Sequence, residues 1–177
     1  MALSPLLVTS WQLEYPLTRL TTLHITKEAH KFSAAHYTIF SATERERLHG
    51  HNYFVSVRLV AHMGDNGFSA DYNVYKRRIK MLCDRYDEYM LVAGQSLYQT
   101  VDQVGDEYHV SFHDKVLKFP VDETWVLPIT NVTVEELAHF MLHELLNIEH
   151  DPDLVEVELT VSSGSGQASS ATWSSVS

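Results

Sequence analysis

Three histidines, His36, His49 and His51, lie close together in the segment FSAAHYTIFSATERERLHGHNY, which covers residues 32–53. His49 and His51 are two residues apart, so in an extended segment both imidazoles point to the same face. Gly50 between them lets the backbone pass close to a bound group. Three histidines with one open coordination position are typical of a catalytic zinc site. On spacing alone, the alternative is that these histidines only fill a strand or a surface.

The remaining histidines make poorer ligand sets. His139 and His143 are four residues apart on a predicted helix, but they fall opposite its apolar stripe, which favours a solvated polar face. The residues from His143 onwards begin like a zinc-protease helix, yet Asn147 stands where the second histidine is required. Three further histidines have no partner at ligand spacing; they are His109, His113 and His150.

Two strands are predicted to position the histidines. Residues 18–35 and 51–61 alternate apolar and polar side chains and favour β-branched and aromatic types. Antiparallel pairing of these strands through a loop at 37–48 would place the end of the first strand, at His36, beside the start of the second. A helix follows after the turn at 63–68. Its predicted buried stripe consists of Val74 or Tyr75, Ile79, Leu82 or Cys83, and Tyr86.

The second half of the chain predicts a hairpin, a helix and a strand. Short alternating runs indicate a β-hairpin insert within residues 93–127. A helix is predicted from Thr133, which has capping-box spacing to Glu136, and it should end before Asp151-Pro152. Its predicted buried stripe is Val134, Leu137, Met141, Leu145 and Ile148. The last predicted strand covers residues 154–161.

These elements predict an α+β fold with a largely antiparallel sheet and both helices on one face. The whole chain, residues 1–177, is interpreted as one domain with an N-terminal extension at 1–17. The tail at 162–177 is rich in serine and glycine and is predicted to be flexible, although Trp173 indicates some docking.

Composition limits the possible partners. The chain has 13 lysines and arginines against 23 acidic residues, and the formal net charge of −10 argues against a nucleic-acid or anionic-membrane partner. The single cysteine, Cys83, cannot form an intrachain disulfide, so a reduced, cytoplasmic compartment is expected. The N-terminal sequence has no positively charged start and predicts neither a signal peptide nor a membrane anchor.

Four motifs taken together resemble 6-pyruvoyl-tetrahydropterin synthase and its relative 6-carboxy-tetrahydropterin synthase. The motifs are FSAAH, LHGHNY, GFSADY and NVTVEELA, in that order, and the resemblance extends over roughly residues 20–170. It implies zinc at His36, His49 and His51. It also implies the tunnelling fold, in which a four-stranded antiparallel sheet carries two helices. Subunits of that family close into a trimeric barrel and stack as a hexamer, so a homotrimer or homohexamer is expected.

The proton-transfer residues of that family are altered in this chain. The family acts on dihydroneopterin triphosphate, where zinc acidifies a C–H and a base removes the proton. By the resemblance, the usual base is a cysteine at the position of Arg45, and an arginine cannot accept a proton. The Asp-His pair that assists the cysteine matches Asp87 and Glu88. The aspartate is therefore retained, whereas the histidine is replaced.

The residues that hold the pterin are also partly changed. The family's anchoring glutamate matches Leu159 or Ser163, depending on the alignment, and neither pairs with the amino-pyrimidine edge of a pterin. Glu135 matches a glutamate that the family keeps in the pterin pocket. The fixed charge of Arg45 would suit a phosphate or carboxylate on the ligand.

Three hypotheses remain open from the sequence. The first is a zinc-dependent lyase or synthase that uses another base, with Glu46, Glu88 and Asp87 as candidates. For each of these residues the alternative is an ordinary surface carboxylate. The second is a zinc protein that binds a pterin or purine without turnover. The third is a structural oligomer that kept only the fold.

Overall fold

A computed structural model of the protein describes residues 19–147 and 153–175. Nine strands, two α-helices and one 3₁₀ turn lie within these ranges. The extension predicted for residues 1–17, the predicted core residue Ile148 and the predicted helix end before Asp151-Pro152 all fall outside them. Neither described α-helix has the length and apolar character needed to cross a membrane.

The larger sheet is built around two long antiparallel strands. Strands β1 (Arg19–His36) and β2 (His49–Met63) pair along most of their length, as the alternating pattern predicted. Strand β8 (Leu154–Gly164) pairs with β2, and β9 (Gln167–Ser174) pairs with β8, both antiparallel. These four strands form the antiparallel part of the sheet.

Two short parallel strands extend this sheet beyond the four that were expected. β3 (Tyr89–Ala93) pairs with the end of β1, and β7 (Thr124–Leu127) pairs with β3. The strand order is β7-β3-β1-β2-β8-β9, so the sheet has six strands. The expected count of four was therefore too low, although the α+β class is confirmed.

The predicted hairpin insert is a three-stranded antiparallel sheet. Its strands are β4 (Gln99–Val104), β5 (Glu107–Phe112) and β6 (Lys115–Pro120), followed by a 3₁₀ turn at Val121–Glu123. The hairpin prediction missed β4, whose central residues are mostly polar. A second apolar cluster beneath this sheet joins it to the loop after β1; the buried members are Tyr37, Ile39, Met90, Val92, Val110 and Phe112.

Helices α1 (Tyr72–Tyr86) and α2 (Val134–Asn147) pack on one face of the larger sheet. Asp71 caps α1 through its side chain, which accepts a hydrogen bond from the backbone N–H of Asn73. The predicted buried stripes are confirmed at the residues described except Val134, which is only partly buried, and Cys83 is fully buried. Buried residues on the helices include Tyr75, Ile79, Leu82, Cys83, Tyr86, Leu137, Met141 and Leu145.

The C-terminal tail is a strand over most of its length, so the predicted flexibility at 162–177 is wrong for residues 162–174. β8 continues to Gly164, and β9 returns along it after a turn in which Gly166 has a φ of 86°. Trp173 pairs with Val157 and packs against the main core, which agrees with its expected docking. The tail therefore completes the antiparallel sheet.

Candidate metal centre

The pairing of β1 with β2 brings the three histidines together. His36 is the last residue of β1 and lies directly opposite His49, the first residue of β2. His51 follows two residues later on the same face. A ligand nitrogen from each of the three lies within 4.8 Å of the others, and the Nε2 atoms of His49 and His51 are 3.1 Å apart. The predicted convergence of these residues is confirmed.

Backbone carbonyls set the orientation of two of the rings. His36 Nδ1 lies 3.0 Å from the carbonyl oxygen of Val132, and His49 Nδ1 lies 2.8 Å from that of Arg47. A carbonyl only accepts, so each Nδ1 carries the proton and each Nε2 keeps a free lone pair. Such hydrogen bonds commonly orient histidine ligands of metals.

His36 fits a metal ligand better than it fits a packed core residue. The residue is only 4% exposed, and its Nε2 has no hydrogen-bond partner among the described residues. Burial lowers the pKa of His36 to about 4, an effect reinforced by His49 and His51 and opposed by the hydrogen bond to Val132. The ring is therefore neutral at physiological pH. Three converging imidazole nitrogens, one of them buried and unsatisfied, match the donor set of an open zinc site.

Glu46 is the carboxylate nearest to this histidine cluster. Its Oε2 lies 3.9 Å from His49 Nε2 and accepts a hydrogen bond of 3.0 Å from the backbone N–H of Thr38. Its own backbone N–H donates to the carbonyl of Thr38. Burial opposes ionisation, but the Thr38 hydrogen bonds together with His49 and His36 outweigh it, so the pKa of Glu46 is lowered.

The histidines and Glu46 line one cavity of about 210 Å³, which we call the metal cavity. Glu135, from the first turn of α2, lies on its wall and is exposed. Ser163 and Gln167 reach it from the β8–β9 turn, and the Ser163 hydroxyl donates to Gln167 Oε1. Gln167 was not predicted as a site residue, because the tail that contains it was predicted to be flexible.

Arg45 lies on the other side of Glu46. Its guanidinium stacks 4.5 Å from the centre of the Tyr37 ring and 5.7 Å from that of Phe112, and Nη1 donates to the backbone carbonyl of Glu46. It lines a separate cavity of about 640 Å³ next to the insert. The structure therefore does not bring Arg45 into the metal cavity.

Asp87 and Glu88 also lie outside the metal cavity of their own chain. Asp87 ends α1, and its Oδ1 accepts a hydrogen bond from the backbone N–H of Ser33. Glu88 has a φ of 66°, uncommon for a residue other than glycine, and lines a third cavity of about 500 Å³. His51 borders both that cavity and the metal cavity. The exposed His139 and His143 lie on α2 and take no part in the cluster.

Comparison with known families identifies one matching model. The family model for 6-pyruvoyl tetrahydropterin synthase matches residues 24–169. A protein of Methanocaldococcus jannaschii, provisionally named 6-carboxy-5,6,7,8-tetrahydropterin synthase, is 26% identical over 141 residues, which cover 77% of this chain and 86% of the relative. A protein of the same provisional name from Pyrococcus horikoshii is 29% identical over 119 residues, covering 67% of this chain and 69% of the relative.

Comparison with solved structures gives the same result for the fold. The 6-pyruvoyl tetrahydropterin synthase of Plasmodium vivax superposes with a TM-score of 0.83 at 25% identity, covering 88% of this chain and 99% of that one. The Plasmodium falciparum enzyme gives a TM-score of 0.81 at 22% identity, covering 88% and 98%. Two further P. vivax structures carry cysteine or alanine in place of a catalytic glutamate. The predicted tunnelling fold is thereby confirmed.

Proposed function

Because this chain belongs to the 6-pyruvoyl tetrahydropterin synthase family, we propose that it is a zinc-dependent lyase that acts on the side chain of a reduced pterin, with Glu46 as the general base. The observation that carries the proposal is the position of the Glu46 carboxylate, which lines the same cavity as the three histidines and lies 3.9 Å from His49 Nε2. The proposed substrate is dihydroneopterin triphosphate or a compound with the same ring and a shorter side chain.

His36, His49 and His51 would hold the zinc through their three Nε2 atoms. Zinc bound there supplies Lewis acidity, which polarises a ligand oxygen and makes the adjacent C–H more acidic. The hydrogen bonds from His36 to Val132 and from His49 to Arg47 keep both rings in the tautomer that leaves Nε2 available. This chain therefore holds its ligand set in place through its own backbone.

Glu46 is suited to receive the proton. The Thr38 N–H occupies one carboxylate oxygen and fixes its orientation, while the cavity places the carboxylate beside the histidines. Glu46 is ionised at neutral pH, which is the state that accepts a proton, and its lowered pKa makes it a weaker base than an unperturbed glutamate. A glutamate in a catalytic role has a precedent in this fold, since the P. vivax enzyme has one.

The other candidate bases fit this role less well. Arg45 takes the place of the family's cysteine but is turned towards Tyr37 and stays protonated. Asp87 is engaged by the backbone of Ser33, and neither it nor Glu88 lines the metal cavity of the same chain. They could act only from a neighbouring subunit.

Glu135 would accept hydrogen bonds from the amino-pyrimidine edge of the pterin. Its carboxylate is exposed on the cavity wall and has no described partner, so its lone pairs are available to a ligand. Ser163 and Gln167, at the opposite turn, would add neutral polar contacts to the ring.

A homotrimer or homohexamer is part of this proposal. Among the described residues, β1 pairs with β3 only at Ala34 and Ala35, and Asp87 and Glu88 bond the backbone of Ser33, so the outer edge of β1 is open from Arg19 to Phe32. The outer edge of β9 is open as well. Exposed strand edges are usually covered by pairing, and the two open edges of one sheet can pair between copies of this chain.

The experiment is a metal analysis combined with a turnover assay. Protein purified without added metal should carry about one zinc per chain and should consume dihydroneopterin triphosphate. His49→Ala should lose both properties, whereas His139→Ala, which changes an exposed histidine of α2, should keep both. Zinc at full occupancy in His49→Ala, or no reaction by the zinc-loaded wild type, would contradict the proposal.

A further inference from the structure

The connection between β7 and α2, residues 128–133, contacts both halves of the candidate site through one side chain. Asn131 lies in this connection and is half-buried. Within the described part of the chain its side-chain amide forms three hydrogen bonds, all with backbone groups. Asn131 is also the first residue of the motif NVTVEELA, and no role was predicted for it.

Two of these hydrogen bonds hold the loop at 37–48. The backbone N–H of Ile39 donates to Asn131 Oδ1 at 3.0 Å, and Asn131 Nδ2 donates to the carbonyl of Ile39 at 2.8 Å. The amide therefore pairs with both backbone groups of Ile39, as a residue of a neighbouring antiparallel strand would. The preceding residue, Thr38, exchanges hydrogen bonds with Glu46. Asn131 thus fixes the backbone directly beside the contact that orients Glu46.

The third hydrogen bond holds the residue that orients His36. Asn131 Oδ1 also accepts from the backbone N–H of Val132, at 3.1 Å. The carbonyl of Val132 lies 3.0 Å from His36 Nδ1 and accepts its proton. Val132 is 2% exposed and His36 is 4% exposed, so water does not readily replace this contact. One amide is therefore bonded both to the residue that orients a histidine of the cluster and to the loop that carries Glu46.

The three bonds need the donors and acceptors of an asparagine. The amide oxygen has two lone pairs, which accept from Ile39 and Val132, and the amide nitrogen supplies the donor for the carbonyl of Ile39. An ionised aspartate has the same shape and keeps both acceptors, but it has no N–H to donate. A leucine has a similar size and keeps none of the three bonds. These two replacements therefore remove the contacts in steps.

We propose that Asn131 is a positioning residue, which holds the Glu46 loop and the backbone carbonyl bonded to His36 in a fixed arrangement. Asn131 does not line the metal cavity, so its effect on the site passes through His36 and Glu46. The link between these two segments stands on the hydrogen bonds alone. Its consequence for zinc binding rests on the proposed function.

The link is tested by amide hydrogen exchange on protein freed of metal with a chelator, so that neither zinc nor turnover enters the result. In Asn131→Leu the N–H of Ile39 loses its acceptor and should exchange about tenfold faster than in the wild type. The N–H of Glu46 keeps its acceptor, the carbonyl of Thr38, but it should also exchange faster because the loop is no longer held. Asn131→Asp should show a smaller increase at both amides.

A matched control separates this link from a general loss of stability. Asp71→Ala removes the side-chain cap of α1, and it should leave the exchange of the Ile39 and Glu46 amides as in the wild type. An unchanged Glu46 amide in both Asn131 variants would overturn the proposal, and so would an equal increase in the control. If the leucine variant does not fold, the aspartate variant decides by the same two criteria.

The consequence for the metal is tested by competition with a chromophoric chelator. Zinc affinity should fall about 10- to 100-fold in Asn131→Leu, the range typical of residues that support metal-bound histidines. Asn131→Asp should lose less than tenfold, and Asp71→Ala should bind zinc like the wild type. Equal zinc affinity in the wild type and in Asn131→Leu would show that Asn131 does not position His36. If the wild type binds no zinc, the proposed function fails, whereas the exchange rates still decide the role of Asn131.

Discussion

Replacing Glu46 by glutamine separates its chemical role from its structural one. Glutamine has nearly the same shape and keeps an oxygen that can accept the N–H of Thr38, and the backbone bond from residue 46 to Thr38 is unaffected. The change removes only the negative charge and the ability to take up a proton. General-base catalysis contributes about 10²- to 10⁴-fold, so kcat should fall by that factor, equivalent to about 3 to 5 kcal/mol in the barrier.

The effect on stability should be much smaller than the effect on the barrier. One charge-assisted hydrogen bond becomes a neutral one, which costs about 1 kcal/mol in the free energy of unfolding. The zinc content should stay at that of the wild type, because all three histidines remain. Steady-state kinetics, zinc analysis and urea unfolding of the same preparation measure the three quantities separately.

Two matched variants test the competing bases. Asp87→Asn and Glu88→Gln make the same chemical change at residues outside the metal cavity, and each should reduce kcat by less than about tenfold, since general-base loss costs 10²-fold or more. If Glu46→Gln keeps kcat within a factor of ten while Glu88→Gln or Asp87→Asn loses a hundredfold, the base comes from another subunit. The assignment of Glu46 would then be refuted.

Three further predictions concern assembly, pH and the tail. Sedimentation should find a trimer or hexamer at micromolar concentration, and a stable monomer would argue against pairing through the open edges of β1 and β9. His30 is 3% exposed, and burial and neighbouring lysines lower its pKa, although its hydrogen bond to the backbone carbonyl of Lys76 opposes them. Stability should therefore be lost as the pH falls below about 6.5. His30→Gln should show a smaller loss between pH 7.5 and pH 5 in thermal unfolding at equal metal content, and an unchanged loss would contradict this origin. Trp173→Ala should lower the free energy of unfolding in urea by about 1 to 2 kcal/mol, which is less than the loss expected for a fully buried tryptophan, because Trp173 is only partly buried. The control Thr172→Ala changes an exposed residue and should alter this free energy little. Equal values for the two variants would show that Trp173 does not stabilise the tail.

The convergence of the three histidines could be predicted from the sequence because their arrangement is local. The two-residue period of a strand puts His49 and His51 on one face, and the antiparallel partner of β2 ends at His36. The pairing partner itself was suggested by alternation on both strands. These two signals do not depend on the rest of the fold.

The choice among the three carboxylates could not be made in this way. Glu46 lies in an irregular loop, where no period predicts whether a side chain faces the histidines or the insert. Its direction is set by the bridge between Ile39 and Arg45 and by the hydrogen bonds with Thr38. The positions of Asp87 and Glu88 depend on the parallel pairing of β3 with β1 at only two residues. Such contacts are tertiary and leave no pattern in the sequence.

The strands that the sequence did not predict also depend on tertiary contacts. β3 and β7 are five and four residues long, too short for periodicity to distinguish them from other apolar segments. β9 consists largely of Ser, Ala and Thr, and it forms because β8 offers it a complete pairing edge. In both cases the neighbouring strand, and not the local propensity, decides the structure.

The buried contact between Tyr37 and Gln99 has an evolutionary consequence for the insert. The Tyr37 hydroxyl donates to Gln99 Oε1 at 2.7 Å, and Gln99 in turn donates to the carbonyl of Ala93. Tyr37 and Arg45 both lie on the loop that carries Glu46. Removing the insert alone would leave the Tyr37 hydroxyl without its acceptor and the Arg45 guanidinium without the Phe112 ring. An unsatisfied buried hydroxyl costs about 1 to 3 kcal/mol, so loop and insert should be gained or lost together. A chimera that gives a shorter relative this loop would therefore need the three-stranded insert as well.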